Sequence, residues 1–193
     1  MPKSLFLVMD MMNDLVDENG FSKASYGVQV KERGVLENTA AAIAAARAAG
    51  IGIGYVRVGF SPDYREAPAA SPIFSGARKN GIFQFGSWGT EVHASLAPQE
   101  GDFDIRKHRV SPFYGTSLEP ILRANGIERL VLSGVSTNGV VHSGARDGHD
   151  RDYECIILED CCAGVTPEEH RDAIACLGRY ARIVSSKDYD WAG

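Results

Sequence analysis

The sequence predicts an α/β domain built on a mostly parallel sheet covered by helices on both faces. Three observations predict it: apolar runs that do not alternate with polar residues, helical patterns lying between those runs, and turn residues bounding each one. Continuous hydrophobicity marks strands buried on both sides, and strands alternating with helices imply right-handed crossovers and parallel pairing.

The elements follow in order along the 193 residues. Residues 5–9 form the first candidate strand, ended by Asp10. An alanine-rich stretch, residues 32–49, reads as a helix closed by Gly50 as its C-terminal cap. A second strand is expected at residues 53–58, and a weaker one at 103–105, which Lys107 follows. Between these two, residues 61–98 carry several Gly and Pro and the aromatics Tyr64, Phe74, Phe83, Phe85 and Trp88. So long an irregular insertion is more often a binding loop or interface than a linker. Thr116-Ser117-Leu118-Glu119 and Thr166-Pro167-Glu168-Glu169 read as capping boxes, the second with Pro at the first helical position. Strands at 130–132 and 156–158 and a weaker one at 182–184 complete a six-stranded sheet in one domain, residues 1–193.

Composition narrows the function classes. The chain is 44% hydrophobic and 23% charged, with a net charge of -5, which suits a globular protein and not a nucleic-acid or anionic-membrane surface. The first apolar run meets Asp10 before it reaches the length of a membrane span, so a cytoplasmic protein is expected. Cys155, Cys161, Cys162 and Cys176 form no C-x-x-C pair and read as buried small residues in a reducing compartment. The five histidines, His93, His108, His142, His149 and His170, show no ligand spacing and read mostly as surface residues.

In a parallel sheet ligands gather at the carboxyl ends of the strands. Asp10, Lys107 and the loop Gly134-Val135-Ser136-Thr137-Asn138-Gly139-Val140-Val141 all follow candidate strands, so three distant segments are expected to converge on one crevice. Each also has a plainer reading. Asp10 could cap a turn, Lys107 could be an exposed cation, and the glycines could serve only a strand-to-helix turn. A helix starting near Asn138 would aim N–H groups into the crevice and favour an anionic substrate or oxyanion.

Three segments in order resemble the isochorismatase-like hydrolase superfamily, also called the cysteine hydrolase family. They are Met9-Asp10-Met11-Met12-Asn13-Asp14-Leu15; Lys107-His108-Arg109-Val110-Ser111-Pro112-Phe113-Tyr114-Gly115-Thr116-Ser117-Leu118; and the Gly134 loop followed by Ala145-Arg146-Asp147-Gly148. The resemblance covers nearly the whole chain and is weakest over residues 61–98. It implies a Rossmann-like, three-layer fold and a catalytic group of Asp, Lys and Cys, which falls on Asp10, Lys107 and Val140. It further implies an oxyanion and substrate loop at Val135, Ser136, Thr137, Asn138 and Gly139, with a cis peptide between Val135 and Ser136. Phe83, Phe85 and Trp88 are the expected pocket wall or subunit contact, since relatives associate as dimers or larger assemblies.

Valine at position 140 changes the chemistry, because its side chain has no lone pair with which to attack a carbonyl. Cysteine-dependent amide hydrolysis is therefore not expected. Metal-binding relatives use histidines after the second strand, but Gly59-Phe60-Ser61-Pro62-Asp63-Tyr64 contains none, so neither metal nor cofactor is expected. Isochorismatases proper lack the cysteine and hydrolyse a vinyl ether with the aspartate as general acid, an outline that Asp10 and Lys107 can fill. Ser136, Thr137 and Ser143 rank below water as nucleophiles, and Cys161 and Cys162 read as structural. The sequence thus points to an Asp/Lys hydrolase of a small organic molecule, favouring an enol ether over an amide. Its alternative is a binding protein on the same fold that no longer turns over.

Overall fold

A computed structural model describes residues 2–192. The first strand, β1 (Ser4–Met9), is followed by three helices: α1 (Asn13–Val16), α2 (Tyr26–Glu32) and α3 (Val35–Ala48). Then come β2 (Gly52–Val58), the one-turn α4 (Ala77–Asn80), β3 (Phe103–Lys107), α5 (Leu118–Ala124) and β4 (Arg129–Val135). A wide π turn (Thr137–Val141) leads into α6 (His142–His149), and β5 (Glu154–Ala163), α7 (Pro167–Leu177) and β6 (Arg182–Val184) finish the chain. All pairings in the six-stranded sheet are parallel, in the order β3-β2-β1-β4-β5-β6. The architecture is the one the sequence predicts.

Strand pleating sorts the core into two layers, since successive side chains point to opposite faces. Phe6 and Val8 of β1 join Val35, Ala42, Ile43 and Ala46 of α3 on one face. Leu5, Leu7 and Met9 face the other way, against Leu118 and Leu122 of α5, Ala145 of α6 and Leu177 of α7. No helix among the described residues is long and apolar enough to cross a membrane.

Local boundaries differ from the sequence reading in three places. The helix expected over residues 32–49 begins later, because Gly34 takes a left-handed φ of 62° and separates α2 from α3. Arg33 holds that break in place by donating to the Cys162 carbonyl and pairing with Glu159 at 2.6 Å, both on β5. The Thr116 capping box does not form: Thr116 accepts from Leu118 N–H, while Glu119 turns to Arg123 and Tyr153. The second box forms in altered form. Thr166 accepts from Glu169 N–H with Pro167 in the first turn, but Glu169 returns to Val165 N–H instead of the cap residue's own. Three cysteines are buried as expected, but Cys176 is exposed on α7.

The sheet order decides where a ligand can sit. Chain direction across the sheet reverses between β1 and β4, and the crevice beyond their carboxyl ends is the natural binding place. Gly134 lets the two ends approach, since a Cβ there would stand 2.6 Å from the Met9 carbonyl oxygen.

Candidate active site

Asp10 is the first residue beyond β1, in a left-handed conformation with φ of 57°. Few residues adopt this backbone; Asp is among those that tolerate it. The turn aims its carboxylate sideways across β2: Oδ1 accepts from Val58 N–H at 3.0 Å. Oδ2 meets Lys107 Nζ at 2.8 Å, and both side chains are nearly inaccessible, at 6% and 1% exposed. Lys107 ends β3 and is paired in register with Val58, so a long side chain is required to reach Asp10.

The ammonium of Lys107 donates also to the carbonyls of Arg109, at 3.1 Å, and Val110, at 2.9 Å. With Asp10 these take up its three protons. Lys107 therefore acts on Asp10 as a fixed charge and as an anchor for the loop that carries Val110. Burial pushes the Asp10 carboxyl above its ordinary value, and this outweighs the lowering by Lys107 and by the Val58 N–H.

The pair opens into a cavity of about 390 Å³, a volume suited to a small molecule. Val135, Ser136, Gly139 and Val140 contribute to its lining beside Asp10 and Lys107. The Val135–Ser136 peptide is cis. A side chain on Gly139 would come within 2.7 Å of Ser136 Oγ, so glycine keeps that hydroxyl in place. Val140 is 2% exposed and presents methyl groups where the resemblance places a thiol.

Two residues expected in the loop site point elsewhere. Thr137 is fully buried, and its hydroxyl is hydrogen-bonded at 2.8 Å to His170 Nδ1. Asn138 is exposed, and its amide reaches Glu169 at 3.3 Å. Of the three candidate hydroxyls, Ser136 alone is in the lining, because Ser143 donates to the Val140 carbonyl. The three aromatics expected as pocket wall or subunit contact part ways. Phe83 lines the cavity, whereas Phe85 packs against His108 and under the Arg106 guanidinium, and Trp88 is 49% exposed outside it.

Further residues shape the site without having been singled out. Leu15, Phe21 and Tyr26 come from the α1–α2 region, and Ile73, Phe74 and Ile82 from the insertion. Asn13 and Asp14, inside the first motif, tie these two walls together. Asn13 donates to the Trp88 carbonyl at 2.8 Å, and Asp14 Oδ2 accepts from Phe83 N–H at 2.8 Å. The motif spacing signalled both residues, and their role follows from the insertion they hold. Ser111 similarly joins the second motif to the third: its hydroxyl donates to Asp147 and accepts from Phe113 and Tyr114 N–H.

His170, expected at the surface, is 4% exposed. It lies between Thr137 and Glu159, whose Oε1 is 2.8 Å from Nε2, so α7 and β5 brace the substrate loop from behind. The His170 hydrogen bond, followed by the Arg33 guanidinium, lowers Glu159 to about 2 despite partial burial. A depressed carboxylate stabilises the fold above its ordinary value and loses that contribution as pH falls toward the folded one. The urea midpoint of Glu159→Gln is thus expected below wild type at pH 6, with the gap closing between pH 4.5 and about 2. A gap constant across that range contradicts the assignment.

None of the cysteines supplies a nucleophile to the cavity, as none is in its lining. Burial holds the Cys155 and Cys161 thiols up at about 12 and raises Cys162 well above its usual value, so these three stay protonated at neutral pH. Among the described residues no group of three or more His, Cys, Asp or Glu side chains is placed to hold a metal ion.

The fold is a doubly wound α/β domain with a buried Asp–Lys pair at the switch point. The chain belongs to the isochorismatase family: the model of the isochorismatase domain matches residues 4–188. It is 38% identical over 170 residues to the ureidoacrylate amidohydrolase RutB of Methylorubrum extorquens, covering 81% of this chain and 68% of the relative. The RutB of Acinetobacter baylyi is 36% identical over 197 residues, covering 95% and 80%. Among solved structures, N-carbamoylsarcosine amidase from Thermoplasma acidophilum superposes with a TM-score of 0.77 at 28% identity, covering 97% and 99%. An isochorismatase family protein from Desulfovibrio vulgaris shares the fold at a TM-score of 0.86 and 24% identity, covering 97% and 96%.

Proposed function

We propose that the protein is a cysteine-independent hydrolase of a small organic substrate, with Asp10 as the general acid and water as the nucleophile. One observation carries this reading: a buried carboxyl with a raised pKa faces an apolar cavity that contains no thiol. A proton donor near neutral pH needs such an elevated value.

An enol ether fits these groups best. The Asp10 proton passes to the terminal carbon of the C=C–O unit and leaves an oxocarbenium ion, which the newly formed carboxylate stabilises. Water adds to the cation and returns a proton to Asp10. The resulting hemiketal then collapses to a ketone and an alcohol, so one water is consumed overall. Lys107 holds the carboxyl in orientation and offsets its charge while it is ionised. Ser136, in the loop beside Val135, is a lining hydroxyl that can hold the attacking water.

The relatives named amidohydrolase and amidase favour a second reading, hydrolysis of an activated amide, which here would also require water as the nucleophile. A panel of enol ethers, amides and esters separates the two. Turnover confined to enol ethers supports the first and turnover of amides the second, while tight binding with no turnover favours a binding protein. Restoring the thiol provides a further check. Val140→Cys is expected to gain amidase activity absent from the parent, because Asp10 and Lys107 line the same cavity as that position. A thiol that alkylates normally without any gain would mean that the surrounding pocket has been remodelled.

A further inference from the structure

We infer that the substrate is electrically neutral and largely apolar, and that the cavity selects against carboxylates. This rests on taking the cavity as the reaction site, and it concerns what binds there, independently of which bond is cleaved.

Asp10 and Lys107 are the charged residues in the lining, and each is the other's partner. The remaining protons of the Lys107 ammonium go to the Arg109 and Val110 carbonyls. No arginine or histidine stands among the described residues lining the cavity. A substrate carboxylate would therefore exchange water for an enclosure with no free cation, which is costly for a buried charge. It would also approach the Asp10 carboxyl, and a second negative charge there would make ionisation of Asp10 harder still.

Two of the loop's backbone donors are already engaged. The sequence reading allowed a helix start near Asn138 to attract an anion, but Gly139 and Val141 N–H both donate to the Ser136 carbonyl, at 3.2 and 3.3 Å. The walls point the same way as the missing cation. Leu15, Phe74, Ile82 and Phe83 enclose the interior, and Phe21 and Ile73 stand at the mouth with 56% and 65% of their surface exposed. Apolar side chains left this open beside a cavity offer a sliding contact to an aliphatic or aromatic ligand. Ser22, Ser25 and Tyr26 add neutral hydroxyls to the lining; Ser25 donates its own proton to the Ser22 carbonyl, which leaves Ser22 and Tyr26 to meet a carbonyl or hydroxyl of the substrate.

The test uses a matched pair, 3-phenylpropionamide and 3-phenylpropionate, titrated calorimetrically into the wild-type protein at pH 8. The amide is expected to bind at least about tenfold tighter. Ile73→Lys adds a cation at the mouth without touching the Asp–Lys pair. It is expected to narrow the amide-over-3-phenylpropionate affinity ratio about tenfold, and an unchanged ratio would count against the inference. Propionate binding as tightly as the amide in the wild type would overturn the inference, as would failure of the amide to bind. Binding is read without catalysis, so a neutral preference without turnover of any enol ether, amide or ester on the panel would defeat the hydrolase reading and leave this one standing.

Discussion

Replacing Asp10 by Asn is expected to lower kcat by about 10²–10⁴-fold, the usual contribution of a positioned general acid. The amide can still accept from Val58 N–H or from Lys107, so the cavity keeps its shape while losing its transferable proton. KM should change little, because the proton is delivered only on the way to the transition state. Steady-state kinetics on the best enol ether of the panel check this. A variant that retains a tenth or more of wild-type kcat would remove Asp10 from the acid role.

Lys107→Met is expected to produce the largest loss of stability. The substitution keeps most of the side-chain stem but leaves the Asp10 carboxyl buried with no opposite charge. Breaking such a pair costs about 3–5 kcal/mol, which for a chain of this size lowers Tm on the order of 10 °C. The effect has a direction in pH. Asp10 already has a raised folded pKa, so its contribution is fully present below the ordinary value of 3.8 and declines as pH rises through the folded one. Removing Lys107 takes away the charge that lowers this pKa, so the folded value climbs further. The Tm deficit should thus be small at pH 4 and grow toward pH 8, as read by thermal unfolding across that range. A deficit independent of pH would mean that the lost bonds to the Arg109 and Val110 carbonyls matter and the Asp10 charge does not.

The two residues of the pair were legible because each comes at the end of an apolar run, and a parallel sheet places such positions together. Their mutual distance was not legible, since it depends on Lys107 reaching across from β3. The helix break at Gly34 escaped the sequence reading because alanine-rich periodicity runs on past it. The break is fixed by Arg33 bonding to β5, more than 120 residues away. His170 looked like a surface residue because its helix is amphipathic and polar at the start, yet Thr137 and Glu159 supply partners that allow its burial.

The cavity walls were the least legible part. Phe83 faces the site because Asp14 holds its backbone, whereas Phe85, two residues later, turns to His108, and Trp88 turns to solvent. Irregular segments have no repeating period from which facing can be read. Ile73, Phe74 and Ile82 enter the lining for the same tertiary reasons, through an insertion whose path is set by contacts distant in sequence.

Cleavage in deuterium oxide of an enol ether bearing one substituent on its terminal carbon tests the central claim most directly. Magnetic resonance of the product, taken before the ketone exchanges its α-protons, reports where the solvent-derived atom has gone. Proton delivery from Asp10 predicts one deuterium on that carbon, placed on a single face. A product without carbon-bound deuterium, or with deuterium divided equally between the two faces, would contradict an enzyme-held acid and with it the cysteine-free mechanism.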